Sequence, residues 1–472
     1  MDGSGAAGSN GRTAAGAGFR SIQGTYTSST MQPVAADRSV RARALLLHRA
    51  APWVALGFFL LLQLLSARFW VSSSSPPNRA LDIAVHLVSQ GSYACPACNL
   101  RLHGTNGGTP FRMFLLPGEP LYLAECLRYL PAGLLRYAHV PIVVLLVAAA
   151  GHLAQRLSGT LLASTAVMVA ILDPFVLLHG PVWDDTFLGA SCDWAVFALL
   201  LSALDARSGR SATLWRPLTA ALIGILSGYA SITRTSSQFV LLTVGVAVVL
   251  IRQLRPIRIE GFAAVAGIVL ALSGWGFRNY RVTGEFAIGT SHDGISLWES
   301  VYPSAREALL TFGQTERLNY LRMEDDFART GSLGELEANR YFLQRAVRYI
   351  LSQPGDVLRT AAVKNGVGLL GLRMEDPLFS ARNLVAAVSN SLLLAFAAFG
   401  AVAMRIEAGP RRELWRCISA ASLLGYIGFS MFGPVGLRYR ISLEPVLWIL
   451  AAGGLVRLAD MWTRRTSRME SL

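Results

Sequence analysis

Apolar and polar residues alternate along this chain in long blocks. Apolar stretches at about 51–71, 139–155, 159–178, 187–204, 261–275, 383–404, 417–432 and 441–456, with two shorter ones inside 217–251, are separated by arginine clusters or long polar segments. Roughly 17–25 predominantly apolar residues let a helix cross the hydrocarbon core of a bilayer with its backbone bonded internally. The pattern therefore predicts an all-α polytopic membrane protein with about ten transmembrane helices. Arginine concentrates on the cytoplasmic side of such helices. Arg38, Arg41, Arg43 and Arg49 precede the first stretch, and Arg156, the groups Arg207/Arg210/Arg216, Arg252/Arg255/Arg258 and Arg405/Arg411/Arg412, and the tail with Arg457, Arg464, Arg465 and Arg468 follow at alternate ends. Both termini are predicted to be cytoplasmic. The two short stretches in 217–251 turn near Thr233 and Arg234, on the opposite side.

This reading divides the chain into a disordered cytoplasmic tail, 1–50, an N-terminal membrane region, 51–276, that includes an extracytoplasmic segment, 72–137, an extracytoplasmic region with amphipathic helices, 277–382, a C-terminal membrane region, 383–458, and a cytoplasmic tail, 459–472. The first 37 residues are rich in Gly, Ala, Ser and Thr and carry too little apolar surface to fold. The first apolar stretch is too long and too far in for a cleavable signal peptide. Within the second outer region, 316–348 reads as strongly charged helix and 354–372 as an amphipathic segment.

Composition agrees. Of 472 residues, 53% are hydrophobic and 15% charged, and the mean hydropathy is +0.42, more apolar surface than a soluble core would hide. The net charge of +14 is spread in short clusters between apolar stretches, which orients helices and argues against nucleic acid as a partner. Lys364 is the sole lysine.

The candidate chemistry collects on the outer side. Arg234, Arg278, Arg281, Lys364, Arg438 and Arg440 fall there by the topology, together with Asp82, Asp184 and Asp185. Cations beside a few carboxylates at a membrane surface suit a lipid phosphate and an acceptor that must lose a proton. The plainer reading is that these arginines serve headgroups and helix ends. Asp82 and His86 lie one turn apart on a short amphipathic helix. Asp184 and Asp185 are adjacent, so repulsion would raise the pKa of one. Asp193 lies deeper in a span, where an ionisable group is expensive. Cys95 and Cys98, in CPAC, are expected to close a small disulfide loop. With His103 they make only three ligands, and no metal site is expected.

At 275–298, WGFRNYRVTGEFAIGTSHDGISLW resembles the tryptophan, Arg-Asn-Tyr, glycine and later tryptophan pattern of GT-C glycosyltransferases that use polyprenyl-phosphate sugars, relatives of protein O-mannosyltransferases and of the lipid A aminoarabinose transferase. Four more segments agree in order: PGEPLYLAE at 117–125, GYASITRT at 228–235, AVRYILSQPGDVLRTAAVK at 346–364 and RYRISLEPVLWILAAGGL at 438–455. The resemblance covers roughly 50–458, and its strength lies in the order of weak motifs. It implies a GT-C-like fold and transfer of a sugar, with inversion, from a polyprenyl-phosphate carrier to a hydroxyl of a glycan, lipid or protein. The active site would face the outside of a bacterial inner membrane, among membrane lipids and without a cofactor. By that resemblance Arg278, Lys364, Arg438 and Arg440, with Arg234 nearby, hold the phosphate. The base of such enzymes is an acid just after the first span, and alignment through AVHLVSQGSY, 84–93, puts that position near Pro76. Either Asp82 has taken the role, or Asp184 or Asp185 serves, or this copy is inactive, with His292 and Asp293 as further candidates. A lipid or glycan transporter or flippase, or a non-catalytic envelope-assembly protein, would also have many spans. A transporter would favour paired helix breaks and an internal repeat, and neither is evident.

Overall fold

The computed structural model describes residues 35–70, 79–95, 98, 111–180, 185–206, 212–374, 376–433 and 437–470. The chain divides into two units, Met1–Leu47 and His48–Leu472, and the site lies in the second. Eighteen helices follow one another among the described residues. They are α1 (Ala35–Trp70), α2 (Arg79–Gln90), α3 (Gly118–Tyr129), α4 (Val140–Ser158), α5 (Thr160–Ile171), α6 (Pro174–His179), α7 (Asp185–Asp205), α8 (Ala212–Thr233) and α9 (Thr235–Leu250). Then come α10 (Arg258–Thr283), α11 (Asp293–Val301), α12 (Ala305–Leu310), α13 (Thr315–Thr330), α14 (Glu335–Ser352), α15 (Pro354–Leu370), α16 (Ala381–Ala403), α17 (Pro410–Phe432) and α18 (Glu444–Glu470).

Each of the ten expected spans forms a helix, in α1, α4, α5, α7, α8, α9, α10, α16, α17 and α18. Six helical stretches, Arg49–Phe69, Ala132–Ser158, Asp185–Asp205, Arg252–Thr283, Ala381–Ala403 and Glu444–Met469, are long and apolar enough to cross a membrane, and α5 and α9 are shorter apolar helices. The chain is an integral membrane protein. Span boundaries differ from the hydropathy reading where local chemistry intervenes. The stretch 159–178 breaks because Asp173 caps a new helix, its carboxylate accepting the Phe175 N–H at 3.0 Å, with Pro174 at the first helical position. Conversely, α10 continues past the apolar stretch to Thr283, so Arg278 and Arg281 ride on its last turns.

Helices without a hydrophobic drive to associate in lipid rely on close backbone approach. Gly224 on α8 meets Gly267 on α10 so closely that a Cβ on Gly267 would lie 1.9 Å from the Gly224 carbonyl oxygen. The same holds for α16 and α18, where a Cβ on Gly400 would lie 1.8 Å from the Leu450 oxygen.

Two connecting regions pack on the bundle while having apolar clusters of their own. Between α1 and α4, α2 packs on α3 through Ala80, Ala84, Leu123 and Ala124. Cys95 and Cys98 are disulfide-bonded, as expected, and Cys95 bridges to Phe111, its N–H donating to the Phe111 carbonyl. Between α10 and α16, helices α11 to α15 surround a core of Trp298, Tyr302, Met323, Phe327 and Phe342. The charged stretch at 316–348 resolves into α13 and α14. It is held by buried Asp326, whose carboxylate accepts from Trp298 Nε1 and Tyr341 Oη, both at 2.9 Å, and pairs with Arg345 at 2.6 Å.

Candidate functional site

The turn between α8 and α9 is a single extended residue, Arg234, at φ −149° and ψ 135°. Its guanidinium is buried and fully engaged. Nε donates to Ser236 Oγ at 2.9 Å, one terminal nitrogen donates to Thr186 Oγ1 and pairs with Asp185 at 3.3 Å, and the other donates to the Arg438 carbonyl at 3.4 Å. Gly189 lets the side chain lie against α7, since a Cβ there would stand 3.2 Å from Arg234 Cβ. The Tyr439 ring is shared by two cations, with Arg234 5.1 Å and Arg438 5.5 Å from its centroid, an arrangement the ring quadrupole favours. The Arg438 side chain is exposed. A guanidinium pair on one ring, one anchored and one facing solvent, is suited to an anionic ligand.

Lys364 joins this cluster from α15. Its ammonium is buried and donates to the Gly433 carbonyl at 2.9 Å, the residue that caps the C-terminus of α17, where exposed carbonyls favour a cation. Gly433 in turn abuts Tyr439, whose Oη would lie 3.2 Å from a Cβ there. Gly368 on α15 allows the close crossing with α17, because a Cβ would meet Tyr426 Oη at 2.6 Å. Burial brings the Lys364 pKa down from 10.5 to about 7, with Glu299 acting the other way. Arg440, expected among the phosphate ligands, is instead almost completely buried. It pairs with Glu444 at 2.6 Å and donates to the Leu369 carbonyl at 2.6 Å, so it ties α15 to the start of α18.

Arg278 sits with a different set of residues. Its terminal nitrogens donate to the Arg112 carbonyl at 2.7 Å, to Asn279 Oδ1 at 3.0 Å and to the Tyr93 carbonyl at 3.0 Å, and its guanidinium lies over the rings of Tyr93 and Trp275. The surrounding motif is turn chemistry. Gly284 ends α10 at φ 79°, Asn279 Nδ2 donates to the Ala287 carbonyl and Trp275 Nε1 to that of Gly289, and Gly276 leaves room for the Phe286 ring. Arg278 thus grips the segment between α1 and α4. That segment reaches the Arg234 cluster, because Tyr93 Oη donates to the Leu115 carbonyl and Gly118 packs on Thr233 while accepting from Tyr229 Oη at 2.9 Å. Arg281 is exposed.

Of the carboxylates, Asp82 is half-buried on α2, and burial raises its pKa. Asp185 opens α7 and serves Arg234. Asp184 and His103 lie outside the described residues. Asp193 accepts from Ser237 Oγ at 2.9 Å. His292 stacks on Phe114, centroids 4.9 Å apart. Asp293 closes its own turn, accepting from the Thr290 N–H and hydroxyl, and burial raises its pKa. Three acids escaped the sequence reading. Glu119, within the PGEP motif, pairs with buried His139 at 2.8 Å. Glu444 balances Arg440, and Glu335 binds the first connecting segment. Glu119 and Glu444 each had a signal, a place in a motif, at 117–125 and 438–455, and Glu335 had none. Glu335 is an ordinary helix acid until the fold gives it partners.

No protein-family model matches the chain, and no curated protein matches it. Among solved structures, archaeal oligosaccharyltransferase AglB from Archaeoglobus fulgidus, in complex with an inhibitory peptide and a dolichol-phosphate, is similar with a TM-score of 0.50 and 14% identity over 90% of this chain and 52% of that one. The chain therefore spans about half the length of AglB. ArnT from Cupriavidus metallidurans matches with 13% identity, bound to undecaprenyl phosphate at a TM-score of 0.38 over 87% of this chain and 79% of that one, and in the apo state at 0.35 over 86% and 78%. At this identity the likeness is one of fold, and the chain shares the all-helical membrane architecture of AglB over most of its length.

Proposed function

We propose that this protein is a GT-C-type membrane glycosyltransferase that moves a sugar from a polyprenyl-phosphate carrier to a hydroxyl acceptor on the extracytoplasmic face. The observation that carries the reading is the cluster of Arg234, Arg438 and Lys364 around Tyr439 and Gly433. AglB, with its dolichol-phosphate, lends the carrier class support through a shared fold. In the proposed topology the ten helices cross with both termini cytoplasmic, and α2–α3 and α11–α15 lie outside.

In the proposed reaction the acceptor oxygen bonds to the anomeric carbon as the bond from that carbon to the phosphate oxygen breaks on the opposite face, inverting the centre. Negative charge grows on the departing polyprenyl phosphate, and Arg438 and Lys364, with Arg234 behind them, stabilise it. The acceptor proton passes to a carboxylate. Asp82 suits this better than Asp185, because burial raises its affinity for a proton while Asp185 is paired with Arg234. Arg278 holds the segment that carries Asp82.

The test uses lipid extracts of cells lacking this protein. A polyprenyl-phosphate-linked sugar should accumulate, and purified parent protein should consume it with transfer to an added acceptor. Movement of that lipid between leaflets of a vesicle without transfer would replace this reading with a flippase.

A further inference from the structure

Helix α14 carries, one turn apart on one face, Glu335 and Asn339. Glu335 Oε2 accepts the Arg112 N–H at 2.9 Å, and Oε1 accepts the Met113 N–H at 2.7 Å and the Ser291 hydroxyl at 2.6 Å. The Ser291 N–H donates to the Met113 carbonyl at 2.8 Å. Asn339 Oδ1 accepts the Gly294 N–H at 2.6 Å, and Arg340 pairs with Glu285. Five contacts from one helix thus meet two segments that are far apart in sequence. Arg112 is held from both sides, its N–H by Glu335 and its carbonyl by Arg278.

We propose that Glu335 is a positioning residue, whose carboxylate latches the α2–α3 segment to the α11–α15 region and so sets the place of the candidate base relative to the phosphate cluster. The inference rests on the proposed transfer reaction for its catalytic consequence. The geometry explains why an acid is needed. Two adjacent peptide N–H groups and a hydroxyl point at one site, and a buried ionised acceptor satisfies all three with charge-assisted bonds, whereas leaving them unmet would cost each its desolvation. The carboxylate also sits at the first residue of its own helix, where the dipole favours a negative charge. Asp82 lies on the latched segment and Lys364 on α15 of the region doing the latching. Their separation therefore depends on this junction, and misplacement of reacting groups by about 1 Å can cost about a hundredfold in rate.

The experiment compares full-length parent, Glu335→Gln and Glu335→Ala in lipid nanodiscs. Hydrogen exchange is followed at peptides containing Arg112, Met113 and Ser291, affinity is measured for undecaprenyl phosphate, and kcat and KM are measured with the accumulated donor. The expected result is faster exchange at those peptides but not in α7 or α10, phosphate affinity within about threefold of the parent, and kcat lowered about tenfold to a hundredfold in Glu335→Ala. Glu335→Gln, which keeps the shape but not the charge, should fall between. Unchanged exchange overturns the latch, and faster exchange with unchanged kcat overturns its positioning role. Loss of exchange protection throughout the bundle in both variants would also overturn it, as a general folding role. Should the parent transfer no sugar, the functional reading falls at that point, and the latch is decided by exchange alone.

Discussion

Lys364→Met should separate a phosphate-binding lysine from a merely buried one. Burial brings the Lys364 pKa from 10.5 to about 7. At about 1.4 kcal/mol for each pH unit, the protein interior disfavours the ammonium by a net amount on the order of 5 kcal/mol. A phosphate bound against Nζ restores the charge and raises the pKa again. Binding should then take up a proton above pH 7, and Kd for undecaprenyl phosphate should weaken by up to about tenfold per pH unit between roughly pH 7 and pH 9. Calorimetry of the full-length protein, in two buffers of different ionisation enthalpy, reads both the affinity and the proton count. Lys364→Met should bind more weakly and without that slope. The stability consequence has the opposite sense. The folded-state pKa lies below the unfolded one, so between about pH 7 and pH 10.5 the unfolded chain holds more protons. The lysine's contribution therefore makes the fold more stable as pH rises through that window, and Lys364→Met should abolish the rise. A parent Kd that is flat from pH 7 to pH 9, or a slope that survives in Lys364→Met, would refute the reasoning.

Asp82→Asn should lower turnover by about 10²–10⁴-fold while leaving undecaprenyl phosphate binding near the parent value; turnover like the parent's removes Asp82 from consideration as base. Arg440→Met strands Glu444 in the interior and should cost about 3–5 kcal/mol in a thermal or denaturant melt, whereas Arg440→Met with Glu444→Leu should recover most of it; equal losses would mean the pair is not coupled. Arg438→Lys keeps the charge but loses the planar guanidinium on Tyr439, so donor affinity should fall, and an unchanged affinity would show that charge alone suffices. Single cysteines placed in α13 or α14, in a background lacking the five native ones, should react with a membrane-impermeant reagent from outside only; labelling solely from the cytoplasm contradicts the topology.

Hydropathy and arginine placement were enough to locate the long apolar helices among the described residues, though not the break at Asp173 that starts α6, because a chain in lipid must bond its backbone within each segment and that signal is local. The turn at Arg234 was legible for the same reason, being the sole break between two apolar stretches bounded by arginines. The CPAC disulfide needed only proximity along the chain. What the sequence left open was which charges share a site. Arg438 and Arg440 are two residues apart in one motif, yet one faces solvent beside Tyr439 and the other is buried against Glu444, and no periodicity separates them. The carbonyls that Arg278 holds, of Arg112 and Tyr93, lie 166 and 185 residues away, beyond any local pattern. Glu335 carried no signal, since its partners are backbone N–H groups, which have no sequence identity to read. Local patterning determined the helices, and the contacts between distant segments, which only the tertiary structure brings together, decided which ionisable groups meet each other.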